Sequence, residues 1–127
     1  MTDDPPHTIS CRQVAGVLVI EILEPRIFEG PAFECLRGEL VNAIVPSAGL
    51  RVVLDFSKVE LMSSEMLGFL VTLYRDLVET GGKLVLVGVQ DPLQKVFAVT
   101  KLDRLFRIAP DAEAAIQIVT SAVSPQP

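Results

Sequence analysis

Apolar runs alternate along this chain with amphipathic segments, and the alternation predicts the order of strands and helices. Runs rich in β-branched residues, typical of buried strands, occupy residues 17–23, 51–56 and 83–88. A short extended segment at 8–12 and a strand at 105–107 complete the predicted set. The glycine turn at residues 15–16 favours a hairpin between the first two strands.

Apolar residues spaced three and four positions apart predict four helices between and after these strands. The first helix begins at Pro31 and stops before Pro46, and the second ends at Gly81 and Gly82. Asp91 caps the predicted third helix, and Asp111 or its neighbour Pro110 opens the fourth. The buried stripe predicted for the second helix consists of Met66, Leu67, Leu70, Leu73, Tyr74 and Leu77.

The resulting order, β-β-α-β-α-β-α-β-α, predicts a single α/β domain over residues 8–123. Strands joined through helices lie parallel, so we expect a mixed, mostly parallel sheet of about five strands with about four helices. The crossover helices lie on one side of this sheet unless the strand order reverses. Residues 1–7 and 124–127, polar and rich in proline, are predicted to be disordered tails.

Composition and charge argue against several classes of function. The net charge of −5 comes from acidic residues scattered along the chain, which argues against nucleic acid and anionic membranes as partners. No apolar run reaches the ~18 residues of a membrane span and no secretory signal is visible, so we expect a soluble, cytoplasmic protein with Cys11 and Cys35 reduced. The only histidine, His7, lies in the predicted tail, so we expect no metal, no cofactor and no enzymatic activity.

Two adjacent serines, Ser63 and Ser64, follow the strand at 51–56 and open the second helix. The first turn of a helix has unpaired N–H groups, so a hydroxyl there can cap the helix. It can also be an exposed group that another enzyme modifies. Asp55 lies at the end of the strand and either orients the following loop or caps it locally.

Several motifs in this order resemble the STAS domain of bacterial anti-sigma-factor antagonists over about residues 8–119. They are Val-Val-Leu-Asp-Phe-Ser-Lys-Val at 52–59, the serine pair, Leu67-Gly68, Gly-Gly-Lys-Leu at 81–84 and Thr-Lys-Leu-Asp-Arg-Leu-Phe at 100–106. The resemblance implies a protein that captures an anti-sigma factor, itself a serine kinase, and so frees the sigma factor. Phosphorylation of a serine at the start of the second helix then prevents capture, and a phosphatase restores it.

In that family the junction usually reads Asp-Ser-Ser/Thr-Gly-Leu-Gly. Aligned on Leu67-Gly68, the resemblance places Ser64 on the phosphorylated serine, with Ser63 as the second choice of acceptor. Ser63 then stands in place of the aspartate, Glu65 in place of the second hydroxyl residue and Met66 in place of the first glycine. The expected partner-binding residues are Ser63, Ser64, Glu65 and Phe28.

Two alternatives remain open at this point. The altered residues around Ser64 favour an unphosphorylated STAS interaction subunit, in a signalling scaffold or with the ABC ATPase of a lipid transporter. An enzyme or nucleotide hydrolase is disfavoured because no catalytic constellation is visible. The sequence leaves open which sigma factor or kinase is involved and whether the domain forms a homodimer.

Overall fold

The computed structural model describes residues 8–27, 30–44 and 49–120. The predicted order of elements is confirmed, with two additional two-residue strands and one 3₁₀ turn. In chain order the elements are β1 Ile9–Val14, β2 Val17–Ile22, β3 Arg26–Ile27, α1 Pro31–Ile44, β4 Arg51–Asp55, β5 Leu61–Met62, α2 Ser64–Glu79, β6 Lys83–Val87, α3 Asp91–Val99, the 3₁₀ turn Leu102–Arg104, β7 Arg107–Ala109 and α4 Ala112–Thr120.

Five strands form one mixed sheet in the order β1-β2-β4-β6-β7, and β3 pairs separately with β5. β1 and β2 are antiparallel, whereas β2, β4, β6 and β7 are parallel neighbours. The β1–β2 turn consists of Ala15 and Gly16, both with positive φ, at 53° and 80°. Positive φ at both central residues suits a two-residue hairpin turn, because it matches the twist of the strands. The predicted hairpin and the predicted mixed sheet are both confirmed.

The parallel strands follow one another without reversal, so α1, α2 and α3 lie on the same face of the sheet. Helix α4, which follows the last strand, packs on the opposite face against β2, β4, β6 and β7. Alternate residues of each strand therefore enter two separate cores. In β2, for example, Leu18 and Ile20 face the three crossover helices, whereas Val17 and Val19 face α4.

Local signals set the ends of the helices. Helix α1 begins at Pro31 as predicted. Gly81 has a φ of 86°, and the N–H groups of Gly81 and Gly82 donate to Val78 O at 3.0 Å and Leu77 O at 2.8 Å. This pair of bonds satisfies the last free carbonyls of α2 and ends that helix. Asp111 Oδ1 accepts from Ala114 N–H at 2.9 Å and caps α4.

Two predicted boundaries are wrong. Helix α3 is capped by Gln90 rather than Asp91, which lies in the first turn. The last strand covers residues 107–109 rather than 105–107. Phe106 instead enters the helix-side core, with ring centroids 6.1 Å from Phe97 and 5.5 Å from Tyr74. The strand begins after this anchor because the preceding residues form the 3₁₀ turn.

Some predictions concern residues outside the described ranges. These are the tails at 1–7 and 124–127, with His7, the last residues of the predicted domain at 121–123, the helix stop at Pro46 and the proposed partner contact Phe28. Within the ranges that are described, no helix combines the length and apolar character needed to cross a membrane.

Candidate functional site

The predicted site lies where the chain passes from β4 into α2. We call residues 56–62 the junction loop and residues 63–65 the serine turn. Phe56 and Val59 are buried in the core between the sheet and helices α1, α2 and α3, and they anchor the junction loop to it. Phe56 N–H donates to Val87 O at 2.8 Å, so the loop starts against the carboxyl end of β6.

Asp55 shapes the first step of the junction loop. Its Oδ1 accepts from Ser57 N–H at 2.9 Å, a local bond between a carboxylate and the backbone two residues later. The carboxylate is therefore a loop-capping group, and this bond does not reach the serines. Asp55 acts on the serine turn only through the course of the loop.

Gly88 permits this arrangement, and sequence reasoning missed its role. Gly88 has a φ of 68°, and a Cβ built on it would lie 2.9 Å from both Asp55 Oδ1 and Ser57 N. Real side chains do not tolerate such contacts, so only glycine lets β6 end beside the Asp55 turn. This role follows from the register that brings the ends of β4 and β6 together, which no local sequence pattern indicates.

Gln90 is a second residue that sequence reasoning missed. Its Nε2 donates to Ser57 O at 2.9 Å and to Val59 O at 3.0 Å, thirty-odd residues away in the chain. Because the side chain binds the junction loop, it makes no capping bond to its own helix. Gln90 thus joins the start of α3 to the loop that presents the serines.

The other side of the junction loop is fastened to residues 25–27. Glu60 N–H donates to Pro25 O at 2.7 Å, and Ser63 N–H donates to Ile27 O at 2.8 Å. Between these bonds β3 and β5 pair in parallel, with Arg26 opposite Leu61. The serine turn is consequently held from two directions rather than projecting as a free loop.

The two serines have different roles at the start of α2. Ser63 is the N-cap, with φ −81° and ψ 167°, and its Oγ accepts from Met66 N–H at 3.2 Å. Ser64 is the first helical residue and is exposed, and no described residue forms a hydrogen bond with its hydroxyl. One serine therefore stabilises the helix while the other presents its hydroxyl to solvent.

The next two residues point in opposite directions. Glu65 is exposed in the first turn, where a carboxylate interacts favourably with the positive end of the helix dipole. Met66 is 0% exposed and belongs to the helix-side core. Met66, which the resemblance aligns with a glycine, is thus a core side chain and not a partner contact.

Surface ion pairs flank the junction loop. Arg26 Nε lies 3.5 Å from Glu60 Oε1, and Lys58 Nζ lies 3.4 Å from Glu21 Oε2. All four side chains are partly or largely solvent-exposed, so each pair contributes at most about 1 kcal/mol to stability.

The family is established by comparison with known proteins. The STAS domain model matches residues 8–115, and the chain belongs to the STAS domain family. The fold described above is that of this class of domain.

Three solved structures share the fold. A candidate anti-sigma factor antagonist from Thermotoga maritima has a TM-score of 0.76 at 20% identity, covering 90% of this chain and 96% of its own. The anti-sigma factor antagonist SpoIIAA in its unphosphorylated form has a TM-score of 0.72 at 23% identity, covering 91% and 99%. The phosphorylated form of SpoIIAA, from Bacillus, has a TM-score of 0.64 at 22% identity, covering 87% and 98%.

Proposed function

We propose that this protein is an anti-sigma-factor antagonist that binds an anti-sigma factor with serine kinase activity and is released from it by phosphorylation of Ser64. The observation that carries the proposal is the division of roles between the two serines. Ser63 caps α2, so the exposed hydroxyl of Ser64 is available without loss of the cap. A partner kinase would transfer the γ-phosphoryl group of ATP to Ser64 Oγ, with loss of the hydroxyl proton and release of ADP.

The fold accommodates a phosphate at this position. Ser64 lies in the first turn of α2, where the unpaired N–H groups and the helix dipole favour negative charge. A phosphoserine adds about 1.5 to 2 negative charges at neutral pH. Because the modification lies on the surface, the core below it stays unchanged. We therefore expect phosphorylation to change binding rather than folding.

The change in binding follows from desolvation. A partner that covers the serine turn must remove water from the hydrated dianion, which costs free energy unless matching cations replace that water. Leu61 is 45% exposed beside the turn, which gives the partner an apolar surface to cover. Burial of this apolar surface favours binding, whereas burial of the phosphate disfavours it. The unmodified form is therefore the form that binds the partner.

The test of this proposal is phosphate transfer with an anti-sigma kinase from the same organism. With kinase and Mg-ATP, intact mass should show a single added phosphate on the wild-type chain and none on Ser64→Ala. Ser63→Ala is the matched control, because it removes the neighbouring hydroxyl, and it should still accept one phosphate. A phosphate that persists in Ser64→Ala would contradict the assignment of the acceptor.

Glu65 favours one other function. Its exposed carboxylate gives the serine turn a permanent negative charge, as expected of a subunit that binds without a phosphorylation switch. Such a subunit would stay associated with a signalling scaffold or with the ATPase of a lipid transporter. Isolation of the unmodified protein in a constant complex with a transporter ATPase, unchanged by Ser64→Ala, would establish this alternative.

A further inference from the structure

Strand β6 has an open edge at its first two residues, on the side where β7 pairs with the rest of the strand. Pairing between β6 and β7 begins at Val85 and Arg107, so Lys83 and Leu84 have no neighbouring strand on that side. Lys83 N–H donates to Leu50 O at 2.9 Å, toward β4. Backbone N–H groups alternate sides along a strand, so the N–H of Leu84 faces the open edge. An unpaired strand edge of this kind is a template for pairing with another chain.

A cleft of about 210 Å³ lies against this edge. Tyr74 and Val78 of α2 form the wall on one face of the sheet, and Ile118 and Val119 of α4 form the wall on the other. Val78 is 47% exposed, which is unusual for a large apolar side chain in the described part of the chain. The cleft thus combines apolar walls with an unpaired strand edge.

The charged residues that line the cleft are both cations, Lys83 and Arg107. Lys83 precedes Val85 by two residues and Arg107 lies opposite Val85, so both point to the α4 face. From a strand spacing of about 4.8 Å and a rise of about 3.3 Å per residue, their Cα atoms lie about 8 Å apart. Neither cation forms a salt bridge with a described residue. On a chain of net charge −5, this positive pair thus has no ion-pair partner among the residues that the structure describes.

We propose that this cleft docks an extended segment of a partner protein that carries an acidic residue next to an apolar one. The carboxylate lies between Lys83 and Arg107, the apolar side chain enters between the α2 and α4 walls, and a main-chain carbonyl accepts from Leu84 N–H. The volume is below the roughly 300 to 1,000 Å³ of ordinary small-molecule pockets. It suits one side chain of a peptide better than a free cofactor.

The cleft is separate from the serine turn. Ser64 and Val78 lie at opposite ends of α2, and a helix rise of 1.5 Å per residue places them about 21 Å apart. A partner in the cleft therefore leaves the serine turn open. The two surfaces can be tested independently, and failure of one does not decide the other.

The experiment uses a displayed library of random hexapeptides, selected on the full-length protein. Enriched peptides should contain Asp or Glu within two residues of a β-branched or aromatic residue. Lys83→Gln/Arg107→Gln should weaken their binding at least tenfold, and Arg26→Gln/Lys58→Gln should leave it unchanged, because those cations flank the junction loop instead. In NMR spectra, addition of an enriched peptide should shift the amide of Leu84 but not that of Ser64.

A second variant tests the cleft independently, in case the double substitution fails to fold. Val78→Asp changes an exposed residue at the rim and should also abolish peptide binding while the circular dichroism spectrum is retained. The proposal is overturned if no peptide is enriched, or if the enriched peptides lack acidic residues. It is likewise overturned if they bind the Lys83 and Arg107 variant as tightly as the wild type.

Discussion

Gly88 lies so close to Asp55 that a Cβ atom on the glycine would be 2.9 Å from the carboxylate oxygen Oδ1. The same oxygen accepts the Ser57 N–H bond that starts the junction loop. The course of the loop that leads to the serines is therefore set by the close approach of Gly88 to the Asp55 side chain and the Ser57 backbone.

Gly88→Ala should lower the free energy of unfolding by about 1–3 kcal/mol, because alanine at a φ of 68° is strained and its methyl group displaces Asp55. Urea denaturation measures this loss. Gly38→Ala is the matched control: Gly38 lies within α1, and a Cβ there meets nothing within 4 Å. That substitution should leave stability unchanged or raise it by up to about 1 kcal/mol. Equal effects at both sites would contradict the close contact.

The two serines should differ in their contributions to stability. Ser63→Ala removes the cap of α2 and should cost about 1 kcal/mol of unfolding free energy. Ser64→Ala removes an exposed hydroxyl and should change stability by less than about 0.5 kcal/mol. Ser63→Asp should retain the stability of the wild type, since aspartate also caps helices well. A larger loss at Ser64 than at Ser63 would reverse the roles assigned here.

Gln90 should determine how firmly the junction loop is held. Gln90→Ala deletes two hydrogen bonds to the loop, and amide exchange across residues 57–62 should become faster. Gln94→Ala serves as the comparison, because Gln94 Nε2 donates to Val89 O, five residues earlier, and not to the junction loop. Its substitution should leave exchange in the junction loop unaltered. Equal acceleration of amide exchange in the junction loop by both variants would show that the hydrogen bonds from Gln90 do not hold the loop.

Cys11 gives a prediction for pH dependence. Desolvation, and then the negative charge of Glu39, raise the pKa of the Cys11 thiol. A raised pKa means less thiolate at a given pH, so alkylation of Cys11 in a Cys35→Ser variant should begin at higher pH in the folded protein than in urea. Glu39→Gln removes the smaller cause and should move the midpoint of the alkylation profile partly downward. An unchanged midpoint would exclude a contribution from Glu39.

The raised pKa of Cys11 also makes the stability of the folded protein depend on pH. Because the folded state favours the neutral thiol, the folded protein binds the proton more tightly than the unfolded chain does. This contribution to stability is complete below the unfolded pKa and is lost as pH rises through the folded pKa.

Periodicity along the sequence was sufficient to predict the strand and helix order, because most elements bury a regular stripe or run. All of the predicted stripe of α2 is buried except Tyr74, which is partly exposed. The serine pair also fell at the start of the helix as predicted, since capping preferences are local.

What the sequence did not reveal depends on contacts between distant residues. The predicted cap Asp91 was a reasonable local choice, but Gln90 is the N-cap, and its side chain binds the junction loop instead of capping α3. The strands β3 and β5 have two residues each and exist only because each pairs with the other. Neither has a periodic pattern that could be recognised in advance.

The proposed switch depends on the effect of one phosphate, and affinity for the proposed anti-sigma kinase measures that effect directly. The full chain is prepared unmodified, with phosphoserine at position 64, and with phosphoserine at position 63 as control, and each is titrated with the kinase. We predict that phosphoserine at 64 weakens binding at least about tenfold, or about 1.4 kcal/mol, with the circular dichroism spectrum unchanged. Equal affinity of the unmodified chain and the chain phosphorylated at 64 would contradict the proposed switch.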